Sequence, residues 1–308
     1  MDNNVIKIFA PATVANIACG FDVFGLCLDN VGDEMIVKKT KKKGIHITKI
    51  VGQDLPLDSN KNVAGVAALA LLAEIETDFG FEIEIYKNIK PGSGIGSSAA
   101  SAAGAVFAIN ELLNKPFNTL ELTKFAMQGE KVAGGTAHAD NVAPALFGGF
   151  TLVRETNPLD VIALPSPKDL FVVILHPQVT VKTSESRAIL PKEIPLTLAT
   201  KQWANTGALV SALYTENYDL LSKSLVDHIV TPYRKQLIPH YEEIEAIALA
   251  NKALGFGISG SGPAMFALAK GKVNALKIKN AISLAFDKTT IPYNCFISEI
   301  NTTGIKIL

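Results

Sequence analysis

Between Pro91 and Ser101 the chain reads PGSGIGSSAAS, with three glycines and four serines set between an alternating apolar run and a helix of small residues. Glycines at this density let successive backbone N–H groups point into one concavity. A helix that starts there adds the partial positive charge of its N-terminus, so the chemistry on offer is the cradling of an anion. The hydroxyls of Ser97, Ser98 and Ser101 extend that offer to phosphate oxygens or a magnesium ion. Other loops share this composition. A Walker-type loop needs a lysine and a Ser or Thr after its last glycine, whereas Gly96 is followed by two serines. A serine-hydrolase elbow needs Gly-x-Ser-x-Gly, which no window satisfies. The dinucleotide fingerprint fits twice, over Gly94–Ala99 and Gly255–Gly260. The first fit leads into two consecutive helices and so lacks the strand that carries a ribose-binding acid; the second follows a helix and runs into a strand. A strand-to-helix turn with a serine cap is the plain alternative, and the density of glycine and serine favours phosphate.

Two further segments carry side chains of chemical interest. PATVANIACGFDVFGLCLD (Pro11–Asp29) contains Asn16 and Asp22, each of which alone reads as a turn former. GFGISGSGPAMFAL (Gly255–Leu268) is a second glycine loop, and alone it reads as a helix C-cap followed by a tight turn.

The elements that must position these residues are legible in outline. Strands are expected at Val5–Phe9, Glu34–Lys39, Ile45–Ile50 and, by strict alternation, Phe81–Tyr86. Helices are expected at Val63–Glu74 after the capping run DSNKN, from the glycine loop to about Leu113, and at Leu120–Val132. The glycine-rich Gly134–Phe150 then turns the chain into a strand at Thr151–Arg154. Residues 157–169 read as irregular and Pro-rich, which places a domain boundary there: a nucleotide-binding half 1–160 and a second half 161–308. Beyond it come a buried strand at Leu170–Leu175 and helices at Leu198–Tyr214, Glu242–Ala253 and Val273–Phe286, with strands at Ala264–Leu268 and Cys295–Ile300. Strands mixed with paired helices, without strict alternation, indicate an α+β fold.

Composition bounds the function. The 308 residues hold 29 Lys+Arg and 29 Asp+Glu, so no basic excess exists to neutralise a nucleic-acid backbone. The one cluster, KKTKKK at Lys38–Lys43, reads as a solvated hairpin or sheet edge. The longest apolar stretch, Val63–Glu74, is short of the ~20 residues that span a bilayer, so no membrane partner is expected. Cys19, Cys27 and Cys295 lack the paired spacing of a zinc site, and with no secretory pattern in MDNNVIKIFAPA a cytoplasmic location is expected.

In this order the three segments resemble the GHMP kinase family, named for galactokinase, homoserine kinase, mevalonate kinase and phosphomevalonate kinase. Pro91, Gly94, Gly96, Ser97 and Ser98 fall where its central P-x-x-x-G-[IL]-G-S-S pattern wants them. Pro11–Asp29 and HADNVAPALFGGF (His138–Phe150) resemble segments particular to its homoserine-phosphorylating branch. The resemblance implies a two-domain fold, ribosomal-protein-S5-domain-2-like and then ferredoxin-like, and transfer of the γ-phosphoryl group of ATP, with Mg2+, to the side-chain hydroxyl of L-homoserine. It implies nucleotide contacts at Pro91, Gly92, Ser93, Gly94, Ile95, Gly96, Ser97, Ser98, Ala99, Ala100 and Ser101, with Asn62 at the adenine, and Mg2+ ligands at Ser98 and Glu130. Asn16, Asp22, His138, Asp140, Arg187, Arg234 and Gly260 correspond to its acceptor contacts, with Asp140 the candidate base. Without the resemblance, Glu130 reads as a solvated helix-end acid, Asn62 as a helix cap and His138 as a structural hydrogen-bonder. A homodimer follows from family analogy alone. The rivals are another acceptor, such as a mevalonate-type acid or a shikimate-like polyol, a silent nucleotide-binding regulator, and a nicotinamide-linked oxidoreductase.

Overall fold

The computed structural model describes residues 4–135 and 137–308; Met1–Asn3, and Thr136 of the glycine-rich stretch, lie outside the described residues. The chain opens on two long antiparallel strands, β1 (Val5–Ala15) and β2 (Phe24–Thr40). Then come β3 (Ile45–Val51), α1 (Val63–Leu72), β4 (Gly80–Tyr86), α2 (Ser97–Leu112) and α3 (Thr119–Gly134). α4 (Val142–Phe147), β5 (Phe150–Thr156) and β6 (Leu159–Leu164) complete this half. The alternation of β4 is the signal that held best: Phe81, Ile83 and Ile85 are buried and pair against β2. α3 is nucleated by a capping box in which Asn118 and Glu121 satisfy each other's backbone N–H.

Several expectations give way. The lysine run Lys38–Lys43 does not close a hairpin, because β4 lies between β2 and β3. The turn passes over the start of β4, where a Cβ on Gly80 would sit 2.2 Å from the Lys42 carbonyl. Residues 159–164, read as irregular, form β6, which pairs with β5. The glycine-rich stretch hides α4, whose Pro144 lies in the first turn, where its missing N–H leaves no helical bond unmade. The chain leaves the first sheet over residues 165–169, and a last strand, β11 (Lys306–Ile307), returns to it beside β1.

The second sheet runs β10-β7-β9-β8, built from β7 (Leu170–Pro177), β8 (Gly255–Ile258), β9 (Met265–Lys270) and β10 (Tyr293–Glu299). Between β7 and β8 lie α5 (Thr183–Ala188), α6 (Leu196–Thr215), α7 (Tyr218–Ser224), α8 (Thr231–Arg234) and α9 (Tyr241–Ala250); α10 (Lys272–Phe286) joins β9 to β10. In chain order the strands stand 4-1-3-2, the split βαβ arrangement of ferredoxin-like domains. β8 escaped the sequence reading because its glycines carry no strand propensity. They are there for close approach: a Cβ on Gly255 would lie 2.4 Å from Leu225 Cβ.

β7 is buried along its whole length, and its period of two divides it between cores. Val172 and Ile174 join the cluster that packs α1, α2 and α3 on the first sheet. Phe171, Val173 and Leu175 face α9 and α10 in the second cluster. The two sheets therefore share a buried boundary, and the glycine loops meet at its rim. Among the described residues no helix is long and apolar enough to cross a membrane.

Candidate active site

The loop from Pro91 to Gly96 rises between β4 and α2, with Gly92, Gly94 and Gly96 at φ of 73°, 85° and 70°. Side chains rarely tolerate this left-handed region, so alternate glycines are what the turn requires. Two of the three are also crowded. A Cβ on Gly96 would lie 2.1 Å from Thr13 Oγ1, and one on Gly94 2.6 Å from the Ser259 carbonyl. The first intrahelical bond of α2 runs from Ala100 N to Gly96 O. Among the described residues the N–H groups of Gly94, Gly96, Ser97, Ser98 and Ala99 have no acceptor within the chain. They are the unpaired donors of the loop and of the helix N-terminus that follows it.

The serines divide by role. Ser97 Oγ donates to Ile89 O at 2.8 Å and Ser101 Oγ donates to Ser97 O at 3.3 Å, so both hydroxyls are engaged within the protein. Ser98 alone of this helix start presents its hydroxyl to an acid, donating to Glu130 Oε2 at 3.1 Å. Beneath the loop, the buried Lys87 pairs with Asp33 and donates to Ser97 O at 2.8 Å and Ser101 Oγ at 3.0 Å. Asp33 also accepts from Asn88 N and Ile89 N, so this one pair holds both feet of the loop. Burial holds the Lys87 ammonium below its usual range, and the Asp33 charge opposes that shift. No motif flagged Lys87, which follows the alternating strand β4, or Asp33, which lies inside β2.

Glu130 is not a solvated acid. α3 crosses α1 and α2 at Gly129, where a Cβ would meet the Val63 carbonyl at 2.4 Å and Ala102 Cβ at 3.0 Å. That approach delivers Glu130 to the start of α2. Burial pushes its carboxyl up to about 7, opposed by the Ser98 hydrogen bond and the Lys87 charge. Its Oε1 is buried with no hydrogen-bond partner among the described residues. An orphaned carboxylate oxygen beside a hydroxyl and a phosphate cradle is a hard-oxygen donor set, and it fits Mg2+. Asn62 behaves as a cap: Oδ1 accepts from Ala64 N at 3.0 Å and Nδ2 donates to Pro56 O at 2.8 Å.

Opposite the cradle, the second glycine loop packs onto the first: Ser259 Oγ donates to Gly94 O at 2.7 Å and Ala264 N to Ser93 O at 3.1 Å. The Gly260 carbonyl is a hub, accepting from Asn16 Nδ2 at 2.8 Å and from Arg234 at 2.9 Å. Asn16 in turn receives Asp22 N on Oδ1 at 3.1 Å, so its amide holds Asp22 in place. Arg187, from α5, grips the Asp22 carboxylate bidentately at 2.9 and 3.0 Å. Buried Arg234 donates Nε to Ser186 O at 3.1 Å, and burial lowers its pKa to about 10. The Phe21 ring lies under both guanidiniums, 5.4 Å from Arg187 and 5.0 Å from Arg234.

His138 Nδ1 stands 3.9 Å from Asp22 Oδ1, and burial lowers its pKa against the pull of that carboxylate. Asp140 is buried and pushed up to about 7, first by burial and then by the charges of Asp22 and Glu130. Its backbone is wedged against β2, since a Cβ on Gly25 would lie 2.0 Å from the Asp140 carbonyl. The adjacent Asn141, not singled out from the sequence, accepts from Thr13 Oγ1 at 2.7 Å and lies beside Gly96, which ties the two halves of the site together. The cluster thus sets the Asp22 carboxylate and the two arginines beside the free N–H groups of the glycine loop and the Ser98–Glu130 pair.

Comparisons with known proteins identify the family. The GHMP kinases N terminal domain matches residues 62–149 and the GHMP kinases C terminal domain residues 209–288. A homoserine kinase of Chlorobaculum tepidum is 43% identical, covering 97% of each chain, and one of Methanococcus vannielii is 39% identical over 96% of this chain and 99% of that one. The crystal structure of homoserine kinase from Cytophaga hutchinsonii superimposes with a TM-score of 0.96 at 46% identity, covering 100% of this chain and 98% of that one. A mevalonate kinase of L. major at 16% identity and TM-score 0.72 shares the fold alone. The chain belongs to the homoserine kinases of the GHMP kinase family.

Proposed function

We propose that the chain transfers the γ-phosphoryl group of ATP to the side-chain hydroxyl of L-homoserine, giving O-phospho-L-homoserine for threonine biosynthesis, with nucleotide and acceptor on the residues described above. One observation carries the reading: the orphaned Glu130 Oε1 lies beside five free N–H groups of the cradle, while across the loop Asp22, Arg187 and Arg234 complement a zwitterion. Arg187 and Asp22 now satisfy each other as the carboxylate and ammonium of an amino acid would. Mevalonate has no ammonium to offer Asp22, so the acid favours homoserine.

In this reading the N–H groups of Gly94 to Ala99 bind the phosphates, and Ser98 and Glu130 hold Mg2+. When bound, that ion neutralises charge building on the phosphoryl oxygens. Arg187 and Arg234 orient the acceptor carboxylate and Asp22 its ammonium. Asp140 takes the hydroxyl proton; a carboxyl pushed up to about 7 suits a base working near neutral pH. The side chain of Asn62 serves α1 as its cap, and the adenine contact is left to other groups near the loop. The homodimer and the cytoplasmic location also belong to this proposal, and sedimentation velocity tests the first. Coupled ADP release with L-homoserine, with mevalonate and with no acceptor tests the reaction. Turnover with homoserine alone is expected, and activity on mevalonate but not homoserine overturns the acceptor.

A further inference from the structure

Two walls of the acceptor site come from stretches far apart in sequence: residues 16–22, with Asn16, Phe21 and Asp22, and residues 227–234, ending in Arg234. The first wall is strained. Asn16, Ile17 and Ala18 stand at φ of 73°, 41° and 57°, and Asp22 at 61°. Consecutive left-handed L-residues are unfavourable, and a β-branched one such as Ile17 especially so. Bonds from Gly20 N to Asn16 O and from Asp22 N to Asn16 Oδ1 tie the turn to itself. Besides the Gly260 and Arg187 bonds described above, support comes from α6, where buried Gln202 donates Nε2 to Cys19 O at 3.0 Å and the Thr206 hydroxyl lies 3.3 Å from the same carbonyl.

The same carboxamide reaches the second wall. Gln202 Nε2 also donates to Asp227 Oδ1 at 2.9 Å, and its Oε1 accepts from His228 N at 2.9 Å. Asp227 then accepts Ile229 N, Val230 N, Thr231 N and the Thr231 hydroxyl, between 2.6 and 3.0 Å. That cluster starts α8, the four-residue helix that ends at Arg234.

We infer that Gln202 is a positioning residue for the acceptor site, its single carboxamide setting the spacing between the turn that bears Asp22 and the helix that bears Arg234. The inference rests on the reading that Asp22 and Arg234 hold the acceptor. Glutamine is the residue type this bracket requires: Nε2 must donate to two acceptors while Oε1 accepts an N–H. Glutamate would set a carboxylate against the Cys19 carbonyl and Asp227. The phosphate cradle shares none of these bonds, so the effect falls on one substrate.

The test is Gln202→Met, which keeps volume and removes the bracket. Steady-state kinetics in both substrates should show a KM for homoserine raised roughly ten- to a hundredfold, the scale of a small misplacement at a site, with KM for Mg-ATP within about twofold. Isothermal titration calorimetry gives the homoserine Kd directly, and that should rise in parallel. Thr206→Val, which removes a hydroxyl placed 3.0 Å from Gln202 O and 3.3 Å from Cys19 O but keeps the carboxamide bracket, should shift KM by less than about threefold. A homoserine KM unchanged in Gln202→Met, or equal rises for both substrates, overturns the inference. If Gln202→Met does not fold, Asp227→Asn tests the other limb, and a variant without the selective rise counts equally against it. Arg234→Met run in parallel separates the failures: if it too leaves the homoserine KM unmoved, the acceptor assignment falls along with the bracket. If it raises KM while Gln202→Met does not, only the bracket falls.

Discussion

Replacing Glu130 by glutamine should make the metal-free protein more stable while abolishing turnover. Glu130 is fully buried among the described residues, and its carboxyl is raised from 4.5 to about 7, chiefly by burial. Between those values the folded chain holds a proton that the unfolded chain releases. The contribution is thus fully present below about 4.5 and lost as pH rises through about 7. A shift of that size corresponds to ~3 kcal/mol lost by pH 8, at roughly 1.36 kcal/mol per pH unit. Glutamine carries no charge to desolvate and can keep the Ser98 contact. Lowering the charge that raises Asp140 acts in the same direction. Urea unfolding in EDTA at pH 5 and pH 8 measures this. The stability difference between Glu130→Gln and the parent should grow by about 2–3 kcal/mol from the lower to the higher pH. Adding Mg-ATP should stabilise the parent and leave the variant unmoved. A difference that stays constant with pH, or a variant less stable at pH 8 than the parent, refutes the burial of an ionised carboxylate held for a metal.

Three other substitutions probe separate parts of the site. Asp140→Asn should lower kcat by ~10²-fold or more with little change in homoserine KM, read by ADP release; near-native kcat with only KM raised makes Asp140 a binder and not a base. Gly96→Ala forces a Cβ to 2.1 Å from Thr13 Oγ1 at a φ of 70°, so Mg-ATP affinity should collapse and stability fall by ~1–3 kcal/mol, seen in a nucleotide titration and a urea midpoint. Lys87→Met leaves Asp33 charged and buried and should cost ~3–5 kcal/mol in urea, whereas Lys61→Met, in an exposed pair with Asp58, should leave the midpoint unchanged.

The parts of this molecule legible in the sequence are those where one local rule decides the outcome. Strict alternation marks β4, and small residues after a glycine loop mark α2. What escaped depends on contacts across the chain. β8 is a strand of glycines because Leu225 and Phe266 press on it, and no local propensity announces that. Pro144 disguised a short helix as loop. At the site, the family resemblance pointed to Ser98, Glu130, Asp22, Asp140 and the two arginines, and the fold places them about the two glycine loops. The direction of a side chain was invisible: Ser97 and Ser101 point inward, and Asn62 caps its own helix. Supporting groups such as Lys87, Asp33, Asn141 and Gln202 carry no motif of their own and act only through what they touch.

A crystal structure with Mg2+, a non-hydrolysable ATP analogue and L-homoserine tests the central claim most directly. The account predicts phosphates on the N–H groups of Gly94 to Ala99, the metal between Ser98 and Glu130, and the acceptor carboxylate on Arg187 and Arg234 with its ammonium on Asp22. Phosphates seated instead on the Gly255–Gly262 loop, or homoserine bound away from Asp22 and Arg234, would contradict it.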